Sequence, residues 1–172
     1  MKRTKTPLHE KLMNTSDIQK HIAKWRASGL SLCFTNGCFD ILHLGHATYL
    51  SKASDLADVM IVGVNSDRSV KALNKAPGRP INNEKSRAAL IASLESVDAV
   101  FVFDHNTPKE LISKLLPDVL VKGGDYDPEE QDSRHPRYVV GRESVLKSGG
   151  SVQTIELVEG FSTTEILKKI QS

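Results

Sequence analysis

Short apolar runs alternate along this chain with stretches in which apolar residues recur every three or four positions. Leu30 to Thr35, Val59 to Val64, Ala99 to Phe103, Asp118 to Val121 and Val152 to Leu157 are compact apolar runs bounded by polar residues, the pattern of buried strands. Between them the period changes. Ile18, Ile22 and Trp25 share one helical face, with Ser16 and Gln19 as a capping box and Ser28-Gly29 as the stop. Ala47, Leu50, Ala53 and Leu56 predict a second helix from about Leu44 to Leu56. Asn83 is placed to cap a third helix through about Glu95. Thr107-Pro108-Lys109-Glu110 sets a cap, a first-turn proline and a reciprocal glutamate before a helix that ends ahead of Pro117. A further helix from about Tyr138 stops at Gly149-Gly150, and Ser162 with Glu165 opens a last one that buries Ile166, Leu167 and Ile170.

Strands alternating with helices at this spacing predict an α/β fold: a Rossmann-like, parallel five-stranded sheet with helices on both faces. Residues 1–14 carry no periodicity and are expected to be a flexible tail; residues 15–172 form a single domain. In such sheets ligands bind beyond the carboxyl ends of the strands, so the loops after each strand carry the candidate chemistry.

Composition narrows the partners. With 23 Lys and Arg against 21 Asp and Glu, the chain has no broad basic footprint for nucleic acid, and an anionic ligand has to be bound locally. No apolar run approaches the ~20 residues of a membrane span, and the basic start lacks the apolar segment of a secretory signal, so cytoplasm is the expected compartment and no membrane partner is foreseen. Cys33 and Cys38 are neither a disulfide framework nor a Cys-x-x-Cys redox site. Cys38 with two histidines lacks a fourth ligand, so no protein-held metal site is predicted.

The first strand runs into Thr35-Asn36-Gly37-Cys38-Phe39-Asp40-Ile41-Leu42-His43-Leu44-Gly45-His46. Glycine lets backbone amides approach an anion, and His43 and His46 meet at the opening of a helix whose positive end attracts phosphate. Two satisfied polar side chains on a helical turn would give the same spacing. Ser162-Thr163-Thr164 offers hydroxyls and free amides at another helix start, and by itself is equally a plain cap.

Gly37-Cys38-Phe39-Asp40 followed by His43-Leu44-Gly45-His46 resembles the glycine, phenylalanine, aspartate and HxGH pattern of the cytidylyltransferase-like nucleotidyltransferases. Glu159-Gly160-Phe161-Ser162-Thr163-Thr164-Glu165 is similar to that superfamily's closing motif, which holds the triphosphate tail. Val62 to Asp67, Gly78-Arg79-Pro80, Val121 to Tyr126 and Gly149-Gly150 resemble, more narrowly, the adenylyltransferase domains of the ADP-heptose synthases.

The resemblance implies the HxGH nucleotidyltransferase fold and transfer of AMP from ATP, or another nucleoside triphosphate, to D-glycero-β-D-manno-heptose 1-phosphate in lipopolysaccharide core precursor synthesis. Pyrophosphate leaves, and Mg²⁺ is bound mainly through the nucleotide phosphates. It implies His43, His46 and Lys122 as catalytic groups. Thr35, Asn36, Gly37, Phe39, Gly45, Arg87, Gly123, Asp125, Ser162, Thr163 and Thr164 would bind nucleotide, and Asp40, Asn65, Lys71 and Arg79 the sugar phosphate. Arg87 is alternatively a surface residue of its helix, and Lys71, Lys75 and Arg79 alternatively a solvated loop. In bifunctional relatives a sugar kinase precedes this domain; 172 residues leave no room for one, so a separate upstream kinase is expected. A homodimer is expected for an enzyme of this size. Two other readings are a cytidylyltransferase for glycerol phosphate or another small phosphate ester, and a non-catalytic nucleotide-binding module. Leu157, standing where glycerol-phosphate enzymes begin the closing motif with arginine, counts against the first. The segment from Pro128 to Arg137 has no assigned role.

Overall fold

The computed structural model describes residues 6–73 and 78–171. Among these the strands are β1 (Leu12–Met13), β2 (Leu32–Gly37), β3 (Val59–Asn65), β4 (Ala99–Phe103), β5 (Val119–Gly123) and β6 (Ser151–Ile155). The helices are α1 (Leu8–Lys11), α2 (Thr15–Ala27), α3 (Leu44–Ser54), α4 (Asp67–Ala72), α5 (Glu84–Ala92), α6 (Lys109–Leu115), α7 (Arg142–Lys147) and α8 (Thr163–Gln171).

The strands form one sheet in the order β1-β4-β3-β2-β5-β6, every pair parallel. Side chains alternate across it with the period of two that extended chain imposes. Leu32, Phe34, Val59, Ile61, Phe101 and Leu120 share one core with Ile18 and Ile22 of α2, Leu111 and Ile112 of α6 and Val145 of α7. Cys33, Met60, Val62, Val100 and Val121 face the other, with Tyr49, Leu50 and Ala53 of α3 and Ala88 and Ile91 of α5. Helices therefore cover both faces, as the alternation of periods predicts.

The sheet has six strands rather than five. The extra one, β1, lies in the stretch expected to be a tail; Leu12 pairs with Val100 and Met13 with Phe101. Two residues are too few to show a period, so only the waiting edge of β4 makes this a strand. Lys11 ties the same stretch down by donating to the Leu94 carbonyl at 3.0 Å.

Several helix ends also differ. The cap of α2 is Asn14, whose Oδ1 accepts from the amides of Ser16 and Asp17 at 2.9 Å, so the Ser16–Gln19 box sits inside the helix. The polar stretch after β3 contains α4, started by Ser66 Oγ accepting from the Ser69 amide at 3.0 Å. No side chain caps α6, and Thr107 turns up in the cavity described below. α7 starts at Arg142 behind Gly141, which takes a φ of 92°. On α8, Ile170 is 73% exposed rather than buried.

The chain order makes a crevice. From β2 the chain proceeds outward through β3 to β4, then returns to lay β5 and β6 on the other side of β2. Loops leaving the carboxyl ends of β2 and β5 consequently diverge, which is where open α/β sheets bind ligands.

Candidate active site

A cavity of about 620 Å³ opens at this divergence. Its wall takes Asn36 to Asp40 from the end of β2, His43, Gly45 and His46 from the start of α3, and Lys122, Gly123 and Asp125 from the end of β5. Ser162, Thr163 and Thr164 at the start of α8 complete it. The two motifs that lie farthest apart in the sequence thus share one cleft. Gly45 shows how close they come: a Cβ there would stand 3.1 Å from the His43 ring and 3.3 Å from the Phe161 carbonyl oxygen. The absence of a side chain there gives the loop before α8 room to lie this close to the first turn of α3.

The histidines are built by that turn. His43 is the N-cap of α3, and its Nδ1 accepts from the His46 amide at 3.3 Å. In the neutral ring Nε2 therefore carries the proton. The His46 ring stacks on it with centroids 3.7 Å apart, and Phe39 approaches His46 edge-on at 5.2 Å. Phe39 holds a φ of 47°, a left-handed conformation unusual for an aromatic residue and of the kind found at functional turns. Nδ1 of His46 is buried with no hydrogen-bond partner among the described residues. Unpaired buried polar atoms are rare in folded proteins, and this one sits on a ring that lines the cavity.

Both rings are neutral near pH 7. Burial lowers the pKa of His43, and burial with the charges of His43 and Arg79 lowers that of His46 to about 4, against an opposing contribution from the Ile41 backbone. Because the folded pKa of His46 lies below its ordinary 6.5, the unfolded chain takes the proton first. The associated stability is complete above about pH 6.5 and is lost as pH falls toward 4, on the order of 3 kcal/mol in all. Urea midpoints at pH 7.5 and 4.5 should accordingly fall further apart for the parent than for His46→Gln; an equal drop in both would contradict the burial of a neutral ring.

Lys122 is buried, donates to Asn36 Oδ1 at 2.5 Å, and lies 5.7 Å from the centre of the Tyr126 ring. Gly123 lets Asp125 lie close beside it: a Cβ would stand 2.7 Å from Asp125 Oδ1 and force that side chain to shift. Asn65 is buried at the cavity wall, its amide donating to Ser69 Oγ at 3.1 Å. Ser162 Oγ accepts from the Glu165 amide at 3.1 Å, which confirms the cap and leaves its hydroxyl proton to donate.

Four expected contacts are differently placed. Thr35 is not on the cavity wall; its hydroxyl is engaged beneath it by Tyr49 at 2.7 Å and the Val121 carbonyl at 2.9 Å. Arg87 is fully buried and neither touches the cavity nor lies on the surface. Its guanidinium donates to the carbonyls of Asn82, Cys38 and Asn65 and to Asp67 Oδ1, at 2.5 to 2.9 Å. Lys71 is exposed on α4, away from the wall, and Lys75 lies outside the described residues. Asp40 reaches the cavity, but its carboxylate is taken by Arg79 Nε at 2.9 Å and the amides of Ile81 and Asn82 at 2.8 and 3.0 Å. Arg79 itself is on the wall.

The wall also includes residues outside the expected set: Tyr126, Val140, Leu157, Val158 and Phe161 on the β5–β6 side, and Asn106 and Thr107 after β4. The last two follow a strand end, so applying the carboxyl-end rule to that strand finds them. Cys33 is buried in the sheet, its thiol pushed up to about 12 by burial, whereas Cys38 is on the cavity wall; neither forms a disulfide. Among the described residues no three His, Cys, Asp or Glu side chains gather as a metal site, and no helix is long and apolar enough to cross a membrane.

Comparison with known proteins agrees with this geometry. Residues 34–169 match the cytidylyltransferase-like family. The bifunctional protein HldE of Nitrobacter winogradskyi is 49% identical over 156 residues, which is 91% of this chain and 30% of that protein. HldE of Wolinella succinogenes is 49% identical over 162 residues, 94% of this chain and 31% of that protein. The chain therefore spans about 30% of the length of the curated relatives it matches. A crystal structure of the lipopolysaccharide core biosynthesis protein from Thermoplasma volcanium shares the fold with a TM-score of 0.57 and 28% identity, over 76% of this chain and 98% of that one.

Proposed function

The chain belongs to the cytidylyltransferase-like family, and from that premise we propose that it transfers AMP from ATP to D-glycero-β-D-manno-heptose 1-phosphate, giving ADP-heptose and pyrophosphate. The observation that carries this reading is the joining of the His43–His46 turn and the Ser162–Thr164 cap in one cavity. Similarity to the HldE proteins and to a lipopolysaccharide core biosynthesis protein supports the heptose substrate.

A phosphate oxygen of the sugar 1-phosphate attacks the α-phosphorus of ATP; the new P–O bond forms as the α–β bridge breaks and pyrophosphate takes its electrons. The attacking oxygen is already ionised near neutral pH, so the protein's task is positioning and stabilisation of charge rather than proton removal. Neutral His43 and His46 donate N–H groups to phosphate oxygens, and Lys122 supplies a cation where charge accumulates. The hydroxyl of Ser162 and the free amides of Thr163 and Thr164 hold the triphosphate tail at the positive end of α8.

The cavity wall offers both kinds of surface. Tyr126, Val140, Leu157, Val158 and Phe161 offer an apolar wall to a flat base, while Asn65, Arg79, Asn106 and Thr107 offer polar groups to a sugar phosphate. Of the carboxylates on the wall, Asp40 is already engaged and Asp125 stands at the exposed rim. This donor set suits a magnesium ion carried in by phosphates and water, which neutralises phosphate charge when bound. A homodimer and a sugar kinase that supplies the heptose 1-phosphate belong to the same proposal.

Incubation with ATP, CTP, GTP or UTP, each with heptose 1-phosphate and magnesium, tests it by pyrophosphate release. Preference for ATP is expected. Release with CTP and glycerol phosphate alone would replace the substrate assignment, and nucleotide binding without release would make the chain a binding module. In the same assay Ser162→Ala should weaken ATP binding and cost about 1 kcal/mol of stability through the lost cap; unaltered ATP affinity would leave Ser162 a cap and nothing more.

A further inference from the structure

Asp40 and Arg79 form an ion pair whose two side chains are 0% and 11% exposed. Its surroundings are unusual for a pair on a cavity wall. Asp40 Oδ2 accepts from Arg79 Nε, Oδ1 accepts from the amides of Ile81 and Asn82, and the Asp40 carbonyl accepts from Asn82 Nδ2 at 2.7 Å. The Asn82 carbonyl in turn accepts from Arg87, which also holds the Cys38 carbonyl two residues before Asp40. The four bonds of Asp40 join the turn after β2 to residues 79–82, and Arg87 ties both segments to the start of α5. That turn carries Phe39 and leads to His43, so Arg79 is fixed relative to the histidines as well as to its own loop.

A carboxylate with both oxygens engaged and no exposed surface has little capacity left to receive a sugar hydroxyl. A guanidinium, by contrast, has five donors, and pairing through Nε leaves the terminal nitrogens able to face an anion. We propose that Asp40 is a positioning residue that never touches substrate and that holds Arg79 on the cavity wall as a clamp for phosphate oxygens. This rests on the reading of the cavity as a phosphate-transfer site, and adds to it which group orients the clamp.

A double-mutant cycle tests the coupling. Arg79→Ala should lower kcat/KM by about 10- to 100-fold, the range for a charge-assisted hydrogen bond. Asp40→Asn keeps an acceptor for the two amides and removes the charge opposite Arg79. In the parent it should lower kcat/KM comparably and through the same parameter, kcat or KM, that Arg79→Ala changes. In the Arg79→Ala background it should cost less than about threefold, since the group it orients is gone. Equal losses in both backgrounds, or an Arg79→Ala variant with parental activity, would overturn the proposal.

Thermal unfolding of each variant accompanies the assay. If Asp40→Asn is unfolded at the assay temperature, methylguanidinium decides: it should restore activity to Arg79→Ala saturably, because the intact Asp40 can seat a free guanidinium, and absence of rescue would overturn the assignment. If the parent binds ATP yet releases no pyrophosphate with heptose 1-phosphate, the substrate reading fails separately. The same cycle is then read on affinity for ATP and for inorganic pyrophosphate, with additive losses again the overturning result.

Discussion

His46→Ala is expected to lower pyrophosphate release about 100- to 1,000-fold, the usual cost of deleting one preorganised donor to a developing negative charge. Three features of the structure support so large a figure. The ring is neutral, it is held between His43 and Phe39, and one of its nitrogens is buried without a partner among the described residues. Donors fixed in this way do not reorganise as charge moves, so the loss falls mainly on kcat. Stability should change far less than turnover, because removing an unpaired polar atom partly offsets the lost packing. Single-turnover rates alongside urea unfolding would separate the two; a variant with parental kcat would take His46 out of the chemistry.

Arg87→Met carries the largest expected loss of stability, about 3 to 5 kcal/mol, as for other buried charges removed from a fully bonded setting. The substitution strands the carbonyls of Cys38, Asn65 and Asn82 together and leaves Asp67 without its cation. Those four groups belong to the turn after β2, the end of β3, the start of α4 and the entry to α5, so the damage spreads across the floor of the site. At a temperature where the variant stays folded, ATP affinity should fall only modestly, since the guanidinium is not on the cavity wall. A variant of parental stability with strongly reduced ATP affinity would restore Arg87 as a phosphate contact.

The contrast between these two residues shows what a sequence discloses. His43 and His46 stand three positions apart at the start of a helix, and local geometry alone makes their rings meet. The loops at Lys122 and Ser162 are legible for a similar reason, since each follows directly from a strand or precedes a helix. Three of the four partners of Arg87 lie 20 to 49 residues away and those of Asp40 39 to 42, and no local period reveals whether a charge is turned inward. Helix α4 escaped for want of an apolar face, and β1 for want of length. The five longer strands are each legible to within two residues at either end, because burial on both faces of a parallel sheet forces a continuous apolar run.

The short strand at Leu12–Met13 has a consequence for the molecule's behaviour in a crowded solution. A sheet border with open amides and carbonyls is a template on which a stranger's backbone can zip, the route by which many α/β proteins clump. Here that border is taken by a strand of only two residues beside Val100 and Phe101, and a selvedge so short offers little backbone for a neighbouring copy to be woven on.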